Sequence, residues 1–183
     1  MRLRPHRLVD DVHVLAISGS LQAASSNSRL VRAVADAAPA DTSVTVWEGL
    51  ADVPPFRPDV SDDDADPAVR DLRALLAAAD LVIVATPEYA GGMPGTLKNA
   101  LDWIVGSGEL YGQPVVIVSA APSAGRGAGA RRWTEETLRM QGADVRASFS
   151  VALHREDDDT AVQTAVDEVL AALAARAGQR GRG

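Results

Sequence analysis

The first loop with ligand-binding potential spans residues 19–28 and contains four serines, one glutamine and one asparagine. It runs directly into a segment with helical spacing. Free backbone N–H groups and the partial positive charge of a helix N-terminus favour a bound anion at such a place. The alternative explanation is that Ser26 or Asn27 simply caps the helix. Because the loop has neither the glycines of a G-x-G-x-x-G fingerprint nor a Walker A motif, it predicts the phosphate site of a mononucleotide.

A second candidate loop spans residues 86–95 and contains the run Pro-Glu-Tyr-Ala-Gly-Gly-Met-Pro. The two prolines fix its entry and exit. Gly91 and Gly92 allow the backbone to approach a planar ligand, and Tyr89 offers an aromatic face. The alternative is an ordinary turn followed by a helix. The composition favours a loop that holds a ring against backbone amides.

Electron chemistry in this chain would need a bound cofactor, because the sequence contains no cysteine. The three histidines, His6, His13 and His154, are scattered along the chain. We predict that none of them is a ligand or a catalytic base. No metal site and no side-chain acid or base is assigned.

The order of the predicted elements brings the two loops together. Apolar runs predict five strands, at residues 12–18, 44–47, 81–86, 115–119 and 145–151, and helical spacing predicts five helices, at residues 27–38, 67–79, 94–105, 131–141 and 160–177. Such alternation is typical of an α/β fold with a doubly wound parallel sheet and helices on both faces. In the flavodoxin-like strand order 2-1-3-4-5, ligands bind at the carboxyl ends of the first and third strands. Both loops follow those strands, with residues 119–129 alongside.

Size and charge narrow the class of protein. The chain has 183 residues, which we divide into an N-terminal extension (1–11), a single domain (12–177) and a disordered tail (178–183). A net charge of −7 argues against non-specific nucleic-acid binding. No apolar run reaches the roughly 18 residues of a membrane span, and the run at 12–17 is too short for a secretory signal. We therefore expect a soluble cytoplasmic protein.

Two strings in these loops strongly resemble the NADPH-dependent FMN reductase family, which includes quinone, azo and chromate reductases. They are Gly-Ser-Leu-Gln-Ala-Ala-Ser-Ser-Asn from residue 19 and Pro-Glu-Tyr-Ala-Gly-Gly-Met-Pro-Gly-Thr-Leu-Lys-Asn-Ala-Leu-Asp-Trp from residue 87. The second string is highly specific, and the separation of the two also matches. The resemblance covers residues 12–151.

The resemblance implies bound FMN, NADPH or NADH as the electron donor, and a homodimer or homotetramer. Hydride would pass from the nicotinamide to the flavin and then to FMN, a quinone or a similar small acceptor. The implied cofactor-binding residues are Ser20, Gln22, Ser25, Ser26 and Asn27 near the phosphate, Pro87, Glu88, Tyr89, Ala90 and Gly91 near the isoalloxazine, and Ser119 and Gly125 at the ring edge.

Two departures from the family pattern leave other functions open. The family usually has arginine at position 22 and asparagine at position 90, where this chain has Gln22 and Ala90. One alternative is an electron-carrier flavodoxin that binds FMN without reacting with NAD(P)H. The other is a flavin-free interaction module that kept the fold and lost the ligand.

Overall fold

A five-stranded sheet forms the centre of the computed structural model, which describes residues 12–22, 24–61, 64–123, 125–154 and 156–177. The strands are β1 (Val12–Ser18), β2 (Thr42–Trp47), β3 (Leu81–Ala85), β4 (Pro114–Ala121) and β5 (Asp144–Ala152). They pair in the order β2-β1-β3-β4-β5, and every pairing is parallel. The predicted strand order is confirmed. The predicted N-terminal extension with His6, and the predicted tail, lie outside the described residues.

Helices cover both faces of the sheet, as predicted. They are α1 (Ser26–Asp36), α2 (Pro67–Ala78), α3 (Gly95–Asp102), α4 (Ala128–Met140) and α5 (Asp159–Ala177). One apolar cluster joins Leu15 and Ile17 of β1 to buried residues of α2, α3 and α4. The other cluster joins Val14 and Ala16, which point to the opposite face, to buried residues of α1 and α5. Burial on both faces explains why the strands read as continuous apolar runs.

The bounds differ from the predicted ones by a few residues, for local reasons. Asp66 caps α2 by accepting a hydrogen bond from the Ala68 N–H at 2.9 Å, and Pro67 takes the first helical position. The segment predicted as a loop after β2 contains a short 3-10 helix, Gly49–Asp52, which buries Leu50 beside the core. Helix α3 ends at Asp102, three residues before its predicted end.

Among the helices that the structure describes, none combines the length and the apolar character required to cross a membrane.

Candidate functional site

A cavity of about 490 Å³ opens at the carboxyl ends of β1, β3, β4 and β5. Its lining residues are Ser20, Gln22, Ser25, Ser26, Asn27, Pro87, Tyr89, Ala120, Pro122, His154 and Glu156. The structure thus brings together all five predicted residues of the first loop and two of the second. A volume in the range of about 300–1,000 Å³ is typical of small-molecule pockets.

The first turn of α1 lies against this cavity and leaves backbone donors free. Ser25 is the N-cap, because its Oγ accepts the N–H of Ser28 at 3.2 Å. The alternative explanation, that Ser26 or Asn27 caps the helix, is therefore wrong, because both lie inside the first turn. Helical geometry gives the N–H groups of Ser26 and Asn27 no acceptor within the helix. These two groups are available to an anion in the cavity.

The side chain of Asn27 is committed to the protein. It donates to the carbonyl of Ala120 at 3.3 Å and accepts from the Ala120 N–H at 3.0 Å. Asn27 is buried, so this pair fixes the start of α1 to the end of β4. What Asn27 can still offer a ligand is its backbone N–H.

Ser20 joins the first loop to the second. Its Oγ accepts the N–H of Gln22 at 3.2 Å and lies 3.3 Å from the hydroxyl of Tyr89. Ser20 is buried, whereas Tyr89 is 51% exposed. The ring of Tyr89 is therefore held by its hydroxyl end and still presents an aromatic surface to the cavity.

Loop residues 89–92 form a tight turn. Tyr89 and Gly92 exchange two backbone hydrogen bonds, both of 3.0 Å, across Ala90 and Gly91. Both central residues have positive φ, 49° for Ala90 and 80° for Gly91, as in the type I′ turn that asparagine followed by glycine favours. Among the described residues, Ala90 is the only non-glycine with positive φ. Ala90 and Gly91 lie at the exposed tip and do not line the cavity.

The carboxylate of Glu88 accepts hydrogen bonds from helix α4, and Glu88 is not among the residues that line the cavity. Its Oε2 accepts the N–H groups of Gly129 at 2.9 Å and Ala130 at 3.2 Å, in the first turn of α4. The helix needs this external acceptor, because its N-cap is Gly127, which has no side chain to provide one. Burial lowers the pKa of Arg131, and the charge of Glu88 opposes that effect. Glu88 thus fixes the second loop to α4.

Ser119 and Gly125, the two predicted site residues in the segment 119–129, also lie outside the cavity lining. Ser119 is buried and donates from its Oγ to the Thr86 carbonyl at 2.8 Å, so it holds the ends of β3 and β4 together. Gly125 is exposed, and a Cβ there would meet no atom within 4 Å. Their roles as cofactor contacts stay predictions.

Four lining residues were not predicted from the sequence: Ala120, Pro122, His154 and Glu156. Ala120 lies in β4, which runs two residues past its predicted end, and Pro122 comes directly after that strand; both fall in the segment 119–129 that was expected beside the two loops, although neither was predicted individually. His154 and Glu156 belong to the segment after β5. The parallel pairing of β5 with β4 is the signal that could have found them, since it places the end of β5 at the same edge.

The described residues around the cavity offer little free positive charge. Arg29 donates to the Asp157 carbonyl at 2.6 Å and lies 3.4 Å from the Asp159 carboxylate, and Arg32 is paired with Glu48 at 2.9 Å. Both guanidinium groups are therefore held by other partners. Among the described residues that line the cavity, His154 is the one that can become cationic, and Glu156 is the one carboxylate.

Sequence comparisons agree with this geometry. The chain is 36% identical over 115 residues to a quinone reductase of Escherichia coli K12, a match that covers 61% of each protein. It is 39% identical over 119 residues to an NAD(P)H-dependent FMN reductase of Pseudomonas aeruginosa, which covers 64% of this chain and 63% of the relative. The match thus spans about three fifths of the length of these curated relatives.

Structural comparison supports the fold. The flavoenzyme NAD(P)H:(acceptor) oxidoreductase FerB of Paracoccus denitrificans superimposes with a TM-score of 0.69 at 22% identity, covering 88% of this chain and 94% of that one. The sequence model of the NADPH-dependent FMN reductase family matches residues 12–158. With both loops inside the matched region, the chain belongs to the NADPH-dependent FMN reductase family.

Proposed function

We propose that this chain is an NAD(P)H-dependent flavin oxidoreductase that binds FMN and reduces FMN, a quinone or a similar small acceptor. The observation that carries the proposal is the first turn of α1, which presents the N–H groups of Ser26 and Asn27 to the cavity beside Tyr89. A terminal phosphate fits such donors, and an aromatic side chain suits a planar ring. The names of the relatives point to the same chemistry.

The chain's own residues would bind and orient the cofactor. Ser20, Gln22 and Ser25 add neutral donors around the N-terminus of α1. Tyr89 would place its exposed ring near the isoalloxazine while its hydroxyl stays beside Ser20. Pro87 lines the cavity at the entry to the second loop. When bound, FMN would supply the two-electron chemistry that this cysteine-free chain lacks.

We further propose that the working form is a homodimer or homotetramer in the cytoplasm, built from one flavodoxin-like domain at residues 12–177. Exposed apolar side chains support association: Tyr111 is 84% exposed and Met140 88% exposed. They lie in neighbouring segments, since the Gly112 N–H donates to the Gly142 carbonyl at 2.8 Å. Sedimentation equilibrium of the purified protein, with and without FMN, would test the oligomeric state.

A flavin titration followed by a turnover assay tests the function. We expect quenching of FMN fluorescence on binding, much weaker binding of riboflavin because it lacks the phosphate, and oxidation of NADPH or NADH when a quinone is added. Binding of FMN without nicotinamide oxidation would instead identify an electron carrier. No binding of FMN would identify a flavin-free interaction module.

A further inference from the structure

The phosphate end of the proposed site lacks a permanent cation among its described lining residues. Position 22, in the first loop, carries the neutral side chain Gln22. Arg29 and Arg32 lie nearby on α1 but are bound to Asp157, Asp159 and Glu48. Among the residues that the structure describes there, a phosphate at the N-terminus of α1 would therefore meet neutral donors, in a chain of net charge −7.

Although its isolated position in the sequence predicted no role as a ligand, His154 lies on the wall of the same cavity, in the segment between β5 and α5. Two hydrogen bonds to Asp157 hold this segment in place. The His154 N–H donates to Asp157 Oδ2 at 2.6 Å, and Arg29 of α1 donates to the Asp157 carbonyl at 2.6 Å. Because α1 holds this turn, the position of His154 is tied to the helix whose N-terminus faces the cavity.

We propose that His154, in its protonated form, binds the phosphate of the mononucleotide and supplies the positive charge that the other described lining residues do not. The inference rests on the proposed binding of FMN and adds a residue and a pH dependence to it. An imidazolium donates a charge-assisted hydrogen bond to a phosphate oxygen, whereas neutral imidazole adds no charge. Histidine is the side chain whose charge ordinarily changes between about pH 5 and 8. The phosphate contribution to affinity should accordingly grow as the pH falls through that range.

The other charged and titratable groups around His154 also affect the charge that a bound phosphate would meet. Glu156 lines the cavity and would repel the phosphate. Asp157 and Asp159 lie on the same segment and are engaged by the His154 N–H and by Arg29. From the second loop, the Tyr89 hydroxyl lies beside Ser20. A dianionic phosphate therefore meets one carboxylate in the cavity lining, and protonated His154 would offset it.

The test compares His154→Gln with the wild-type protein in titrations of FMN and riboflavin at about pH 6.5 and about pH 8.5. Each comparison is made at one pH, so that the titration of the phosphate itself cancels. We expect His154→Gln to weaken FMN binding about three- to tenfold at the lower pH and less than about twofold at the higher pH. Riboflavin affinity should not change at either pH.

His13→Gln is the matched control, since His13 lies in β1 with its Nδ1 2.9 Å from Ser43 Oγ and is outside the cavity lining. It should bind FMN like the wild type. Arg155 lies outside the described residues. Its guanidinium keeps its charge throughout this pH range, so any contribution from Arg155 to FMN binding would be the same at both pH values. A loss that is equal at both pH values, or no loss in His154→Gln, would overturn the proposal while leaving FMN binding intact. If the wild type itself binds no FMN at either pH, the proposed function fails as well.

Discussion

The side chain of Asn27 makes both of its hydrogen bonds with the backbone of one residue, Ala120, 93 positions along the chain. Strand β3 ends at Ala85, which pairs with Val118, so β4 continues beyond its neighbour. Asn27 supplies the donor and the acceptor that a longer β3 would have given to Ala120. The start of α1 and the end of β4 are thereby fixed at one edge of the cavity.

Asn27→Leu should therefore destabilise the fold. The change leaves the Ala120 N–H and carbonyl without partners in the interior, and we expect the free energy of unfolding to fall by about 2–4 kcal/mol. Urea denaturation would measure it. Gln163→Leu is the control, because Gln163 is exposed and bonds to Asp167 one helical turn away; its effect should stay within about 0.5 kcal/mol. A loss below about 1 kcal/mol for Asn27→Leu would show that the Ala120 backbone finds other partners.

Ala90→Asn should stabilise the turn at residues 89–92. An L-residue with a Cβ pays roughly 1–2 kcal/mol in the left-handed region, and asparagine pays less because its side chain bonds locally. We expect a gain of about 0.5–1 kcal/mol in the free energy of unfolding, measured by the same denaturation. At Ala77, inside α2, the same substitution should destabilise by about 0.5 kcal/mol because asparagine is a poor helix former. Equal effects at the two positions would contradict the role of the positive φ.

Gly129→Ala should displace the second loop. A Cβ at position 129 would collide with the Gly91 carbonyl and approach Glu88 Oε2 at 3.1 Å. We expect a loss of about 1–3 kcal/mol in stability and weaker FMN binding, because the turn beside Tyr89 must move. Fluorescence titration and urea denaturation would measure the two effects.

Gly95→Ala, in the first turn of α3, is the control for that change. No atom lies within 4 Å of its added Cβ, so stability and FMN affinity should be unchanged or slightly higher. If Gly129→Ala behaves in the same way, the second loop is free to shift without affecting the site.

Gln22→Arg should strengthen FMN binding. Gln22 lines the cavity, and both nearby arginines of α1 are held by other partners, so an arginine at position 22 would add a permanent cation to the described lining residues. A charge-assisted bond is worth roughly 1.5–3 kcal/mol, much of it lost in an open cavity, and we expect a gain of at least about threefold in affinity. Because exposed charges are screened, the gain should shrink at high salt. Titrations of FMN at low and high salt would show it; unchanged affinity at low salt would place Gln22 away from the phosphate.

Much of the fold could be predicted because it depends on local patterns. Apolar runs of strand length, helical spacing and the Asp66–Pro67 cap each act within a few residues, and all are present in the structure. The meeting of Ser20 with Tyr89 followed from the strand order, since β1 and β3 are neighbours. The strand order alone was enough to predict that these two residues lie close together.

The partners of polar side chains could not be predicted in the same way. Glu88 belongs to a string associated with the flavin, yet its carboxylate bonds to Gly129, 41 residues away. His154 is isolated from the other histidines in the sequence, but the pairing of β5 with β4 places it on the cavity wall. Such contacts depend on how loops pack across the sheet edge, and no local spacing encodes them.

The lining residues of the cavity lie as far apart in the sequence as Ser20 and Glu156, so no short fragment of the chain contains the whole cavity. A ligand held there would bind only the folded chain and would shift the unfolding equilibrium by mass action. At a free concentration a hundred times its dissociation constant, FMN would raise the free energy of unfolding by about 2.7 kcal/mol. In a cell, proteases remove the unfolded fraction, so the abundance of this protein would follow the supply of FMN.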